Sequence, residues 1–155
     1  MNIKLSIRNS AKAIVIREGK LLVIKNRDAE GDWYILPGGG QHHNETLHQA
    51  LQRECYEEIG VGVTVGPLRF IREYIGKNHE FIEDSRVHQV EFMFLCQIEP
   101  DYSPVMGRTP DAYQTGFSWL PVAELEQYRV YPSALCSVLK PQEITTAPVY
   151  LGDVN

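Results

Sequence analysis

Apolar residues crowd the start of the chain in two runs, residues 13–17 ("AIVIR") and 20–25 ("KLLVIK"), separated by Glu18 and Gly19. Two β-rich runs across a two-residue break containing glycine predict a hairpin that opens a sheet. "WYILPGGG" follows as a short strand that ends in a proline and three glycines, where the backbone can turn sharply and expose its amides and carbonyls. Over residues 45–59 the spacing becomes helical, with Leu47, Ala50 and Leu51 on one face, Asn44 as the expected N-cap and Gly60 as the stop. Two further strands, "VGVTVGPLRFIREYIG" and "VHQVEFMFLCQIE", flank the charged stretch "KNHEFIEDSR", which reads as exposed. Residues 100–116 form a polar, proline-broken loop longer than usual. "FSWLP" adds a strand and "VAELEQY" a short helix. "YPSALCSVLK" reads as a final helix that packs Leu135, Val138 and Leu139 on the sheet, and the last dozen residues are expected to fray. Strand, helix, strands and late helices define an α/β fold, one mixed sheet covered by helices on both sides.

The apolar stripe of the long helix turns acidic. It continues through Glu54 and Glu58, with Glu57 one turn beyond Glu54. Three carboxylates this close repel one another and resist desolvation, so they reach solvent, take up protons or share cations. An all-oxygen set favours Mg²⁺ or Mn²⁺ over a thiolate-seeking metal. Such a cation meets the needs of attack on a pyrophosphate: its charge is neutralised, a water is oriented and the leaving phosphate is stabilised. Glu54 and Glu58 are the candidate bases for the water's proton. The fork of Arg53 can orient Glu54 itself or Glu45 across the turn, or contact phosphate. A solvated acidic helix end gives the same residues, but the glycine-rich stretch Gly38, Gly39 and Gly40 just upstream can offer a carbonyl to a metal and amides to phosphate oxygens. No Walker pattern is present.

Length and charge narrow the class. At 155 residues, 43% hydrophobic and 23% charged, the chain fits one domain over residues 1–155 with a sizeable core. A formal net charge of −5 offers no broad attraction for DNA or RNA, although Arg27, Arg53, Arg69, Arg72 or Arg86 could hold a phosphate. Cys55, Cys96 and Cys136 lie far apart in apolar contexts, which suits reduced thiols and a cytoplasmic location. No stretch approaches the roughly 20 apolar residues of a membrane span.

Gly39, five residues, Glu45, seven residues and then "RECYEEIGV" resembles the Nudix box, Gly-x5-Glu-x7-Arg-Glu-U-x-Glu-Glu-x-Gly-U, where U is a bulky aliphatic residue. Every polar and glycine position agrees; Cys55 stands as a small apolar substitute at the first U and Val61 fills the second. The opening hairpin, the "WYILPGG" lead-in and "FSWLPVAEL" resemble the family's flanks. The resemblance implies a Nudix α/β/α sandwich with a mixed β-sheet between helices. It also implies a MutT-like, metal-dependent hydrolase that cleaves a nucleoside diphosphate linked to another moiety. The Gly38 carbonyl, Glu54, Glu57 and Glu58 would bind divalent metal, Glu54 would serve also as a base, and Arg53 and Glu45 would organise helix and loop. Asn44 stands where the family commonly has glycine, and asparagine tolerates the left-handed turn. His42 and His43 read as exposed.

Substrate choice falls to the flanks. Trp33, Tyr34, Tyr74, Tyr102 and Tyr113 are candidates to stack a base, and Glu80, Glu83, Asp84, Glu99 and Asp111 to add a metal carboxylate. His79 and His88 read as ordinary strand or surface residues. ADP-ribose, a nucleotide sugar or a nucleoside triphosphate fits the chemistry, and the expected partner is a small nucleotide, with no long nucleic acid and no membrane. The resemblance leaves both a homodimer and a monomer open. An isomerase of the same superfamily would need a protonating cysteine and a glutamate outside the box, and Cys96 sits in an apolar run, where it reads as a buried structural thiol. The stronger rival is a non-catalytic nucleotide sensor on the same fold.

Overall fold

The structure is a computed structural model that describes residues 5–101, 103–107 and 113–155. Strand β1 (Arg8–Ile14) leads to β2 (Ile16–Arg17), which turns into β3 (Lys20–Asp28). The turn residues Glu18 and Gly19 both have positive φ, 50° and 74°, which gives a two-residue hairpin whose twist matches its strands. Next come β4 (Gly31–Ile35), β5 (Gly38–Gly40), helix α1 (Leu47–Ile59), β6 (Thr64–Ile75), β7 (His88–Gln97), β8 (Gln114–Pro121), β9 (Val130–Tyr131), helix α2 (Leu135–Val138) and β10 (Tyr150–Asp153).

The α/β class is as expected, with helices flanking mixed sheet, but among the described residues the strands divide between two sheets. One runs β10-β6-β7-β1-β5, with β1 parallel to β7 and β10 parallel to β6. The other is built on β3, which pairs β2 and β4 along one edge and β8 along the other, while β9 runs parallel to β4. The division falls where β1 ends: the Val15 carbonyl accepts the Leu22 N–H at 2.9 Å, committing the chain to the hairpin.

Alternation along β1 sets up two apolar layers. Ala11, Ala13 and Val15 pack with Leu51, Cys55 and Ile59 of α1, where small strand residues let the helix approach. Ile14 packs instead with Phe70, Met93, Leu125, Leu135 and Leu139. Leu135, Val138 and Leu139 thus reach the core as expected, although α2 is only one turn long and residues 122–127 form a 3₁₀ turn kinked at Glu124.

Helix α1 begins later than its pattern suggests. Its cap is Thr46, which accepts from the Gln49 N–H while the Gln49 side chain accepts from the Thr46 N–H, a capping box. Asn44 cannot cap because its φ of 68° lies in the left-handed region, the conformation expected for a residue in a glycine position. Gly60 stops the helix with φ 68°. The chain's last residues do not fray: Tyr150, Gly152 and Asp153 pair with Ile71, Arg72 and Glu73.

Candidate functional site

The glycine stretch is strand β5, hydrogen-bonded to β1 with Lys12 opposite Gly38 and Ala11 opposite Gly39. This places the loop at the edge of the sheet, directly over the acidic turns of α1. Glu58, 1% exposed, accepts the Gly38 N–H on Oε1 at 2.8 Å. A Cβ on Gly39 would stand 2.5 Å from the Glu54 carboxyl carbon, so any side chain there would push that carboxylate aside.

Arg53 ties the set together. Its Nη2 and Nε donate to both oxygens of Glu45 at 2.7 and 3.2 Å, Nη2 also donates to the Gly40 carbonyl at 2.9 Å, and Nη1 donates to Glu54 at 3.0 Å and to Glu57 at 3.4 Å. The fork therefore holds Glu45 in a bidentate pair and bridges helix to loop. The Arg53 contact and the His42 N–H bring the Glu45 carboxyl down to about 2, so it stays charged. Glu54 and Glu57 each spend one oxygen on Arg53. Among the described residues no group of three or more His, Cys, Asp or Glu converges as metal ligands; Glu58 is turned toward Gly38, and the guanidinium lies among the other carboxylates.

Four residues outside the Nudix-like stretch stand on this side of the sheet. The Lys12 ammonium donates to the Gly38 carbonyl at 3.2 Å, taking one of that oxygen's two lone pairs. Arg8 lies under Gly40, where a Cβ would meet its guanidinium at 2.1 Å. On the same face of β6 and β7, Arg72 donates to Glu91 at 2.7 Å in a buried pair. The signal for Lys12 and Glu91 was visible, a lone charge inside an apolar strand in "SAKAIVI" and "VEFMFL", but pattern alone did not say that both charges face one side of one sheet.

Burial pushes the Glu91 carboxyl up, but the Arg72 and Lys12 charges outweigh it and the net shift is downward. A depressed carboxyl contributes stability that is present above its unfolded value, 4.5, and lost as pH falls through the folded one. Wild type is therefore expected to lose more stability than Glu91→Gln between about pH 7 and about pH 3. Urea midpoints at both pH values check this, and equal losses would remove Glu91 from the acid response.

A cavity of about 510 Å³ opens beside these residues, bounded by Lys12 and Arg8 at the loop end and by Trp33, Phe81 and Tyr131 on its walls. Tyr131 meets Trp33 and Phe81 edge-on, with centroids 6.1 and 5.5 Å apart. Of the aromatic candidates, Trp33, Tyr74 and Tyr113 line this cavity, whereas Tyr34 is buried against Tyr128 in the core. Tyr102 lies outside the described residues. Phe81 and Tyr131 were not singled out by sequence reasoning, since neither belongs to a distinctive motif.

The remaining candidates divide clearly. Glu83 and Asp84 line the cavity, on a 3₁₀ turn of the stretch read as merely exposed. Glu80 accepts from Asn155, Glu99 lies at a different depression beside Arg17, and Asp111 falls outside the described residues. His42 and His43 are exposed, as expected. His79 stacks on Tyr74 and contacts Asp153 at 2.6 Å, and His88 contacts Glu73 at 3.0 Å. Arg27 pairs with Asp32, and Arg69 donates to the Ala147 carbonyl at 2.7 Å. The segment 103–107 runs back to the helix end, where Val105 N–H and Gly107 N–H donate to the Ile59 and Glu58 carbonyls at 2.8 and 2.9 Å. All three cysteines are free, with Cys55 and Cys96 buried and Cys136 half-buried. No helix of the described residues is long and apolar enough to cross a membrane.

Residues 7–137 match the NUDIX domain family, and the chain belongs to it. An RNA pyrophosphohydrolase of Xylella fastidiosa is 29% identical, over 94% of this chain and 86% of that protein. The low-salt glycan biosynthesis protein Agl8 of Haloferax volcanii is 34% identical across a shorter stretch, 53% of this chain and 49% of its own, so the chain spans about half the length of that relative. Among solved structures, a MutT NUDIX hydrolase from Burkholderia pseudomallei superposes with a TM-score of 0.60 at 23% identity, over 76% of this chain and 84% of the other, a likeness of fold.

Proposed function

We propose that this chain is a metal-dependent pyrophosphohydrolase that cleaves a nucleoside diphosphate linked to another moiety, such as ADP-ribose, a nucleotide sugar or a nucleoside triphosphate. The observation that carries the reading is the loop seated on the acidic helix, with Gly38 N–H donated to Glu58 at 2.8 Å and Gly39 leaving room for the Glu54 carboxylate. The loop and the carboxylates of Glu54 and Glu58 thereby meet at one edge, and Arg53 links Glu54 to Glu57. Gly38, Glu54, Glu57 and Glu58 would hold Mg²⁺ or Mn²⁺; the donor set is all oxygen, and Glu54 and Glu57 each keep one oxygen that Arg53 does not use. The cation would neutralise phosphate charge and acidify a water. Glu54, which retains some solvent access where Glu58 has almost none, is the stronger candidate to accept that water's proton. Arg53 and Glu45 fix the loop against the helix. Lys12 and Arg8 supply positive charge beside it.

The fold without the chemistry would make a nucleotide sensor, and turnover separates the two. Product release is to be followed from a panel of nucleotide sugars, ADP-ribose, dinucleoside polyphosphates, coenzyme A and nucleoside triphosphates, with Mg²⁺, with Mn²⁺ and with chelator. Cleavage of one compound that stops with chelator is expected. Binding of a panel member by the folded protein without metal-dependent cleavage would favour the sensor.

A further inference from the structure

From the cavity wall we infer that this site selects nucleotides whose base carries an exocyclic amino group over those with an oxo group at that position. The inference rests on the proposed nucleotide substrate and adds which bases fit.

The cavity is polarised. Alternation on three neighbouring strands places Arg8 and Lys12 of β1, Gln89 and Glu91 of β7, and Arg72 and Tyr74 of β6 on one sheet face, with Arg72 opposite Glu91 and Tyr74 opposite Gln89. Lys12 and Arg8 stand at the Gly38–Gly40 end, where an anionic phosphate would be welcome. At the other end Tyr74 donates its hydroxyl to Asp84 Oδ2 at 2.8 Å, which brings a carboxylate beside Gln89. A second phosphate would be repelled there, and an uncharged donor would be held.

Gln89 has its amide orientation imposed. Arg72 donates to Glu91, which is a charged carboxylate and accepts only, and Gln89 Nε2 donates to Glu91 Oε1 at 2.8 Å. One of its two N–H hydrogens is spent on Glu91, which fixes the amide and leaves Gln89 its carbonyl oxygen and one N–H. With the acceptor-only Asp84 carboxylate beside it, the wall carries more acceptors than donors. An amino group offers two hydrogens to such a wall, whereas an oxo group would find only the one Gln89 N–H and would face the Asp84 lone pairs. The aromatic walls of Trp33, Phe81 and Tyr131 supply a surface for the base.

Nucleoside monophosphates test this without any turnover. Binding is to be measured by calorimetry, without metal, for AMP against IMP, CMP against UMP and GMP against XMP, three pairs that exchange a 6-amino, 4-amino or 2-amino group for oxo. At least one amino member is expected to bind about tenfold or more tighter than its oxo partner. In Gln89→Met, which removes the acceptor and keeps the length of the side chain, that ratio is expected to shrink severalfold. Equal binding within all three pairs, or a ratio unchanged in Gln89→Met, would overturn the inference, as would no binding of any of them by the wild type. Selective binding by a protein that cleaves nothing would leave the base preference standing and overturn the hydrolase reading alone.

Discussion

Glu57→Gln is expected to lower turnover of the cleavable substrate on the order of a hundredfold or more, with the fold intact. The side chain is 37% exposed, and its polar contact among the described residues is the long 3.4 Å approach of Arg53, so little of the fold depends on it. What the amide loses is the negative charge and half the ligand capacity of the carboxylate, the properties a hard cation requires. Glu58 would be a poorer probe, because its Oε1 also holds the Gly38 N–H and its removal would loosen the loop. Initial rates with saturating Mg²⁺, read beside thermal unfolding of both proteins, decide the matter. Full activity in Glu57→Gln would sink its assignment as a metal ligand, and a matching drop in melting temperature would make the loss structural.

Gly38→Ala is expected to cost about 3 kcal/mol or more of stability and to abolish activity with it. A Cβ there would stand 2.1 Å from the Ala11 carbonyl oxygen and 2.9 Å from the Lys12 Cα, both backbone atoms of the paired strand, and φ at this residue is 128°. Neither neighbour is a flexible tip that can swing aside. The β1–β5 pairing would have to open, taking with it the amide that Glu58 accepts and the carbonyl that Lys12 donates to. Gly31→Ala is the control, since its φ of 114° is similarly unfavourable but its Cβ would meet nothing within 4 Å. Chemical denaturation of both variants is expected to show a smaller loss for Gly31→Ala, near 1 kcal/mol. Equal losses would mean that strain at positive φ, and not the close approach of β1, fixes glycine at position 38.

Much of this was legible along the chain because it depends on local spacing. The hairpin at Glu18 and Gly19, the stop at Gly60 and the acidic turn of a 3.6-residue stripe each follow from a few adjacent residues. The left-handed Asn44 was legible too, yet it displaced the cap to Thr46, since one residue cannot be both left-handed and extended. The division into two sheets was not legible, because Val15 looks like any other β-branched residue until its carbonyl takes the Leu22 N–H.

The sequence by itself determined the α/β class, the family and the carboxylate-bearing helix, all of which are written in fixed intervals between residue types. Only the tertiary structure decided what stands around that helix. Lys12 reaches Gly38 from 26 positions away, Arg72 finds Glu91 across 19, and Asp153 reaches His79 across 74. No interval in the chain encodes those meetings; they arise because strand pairing fixes the register and alternation then turns every second side chain to the same face. The cavity and its acceptor wall are products of that register, which is why the acidic helix could be read from the sequence and the base preference could not.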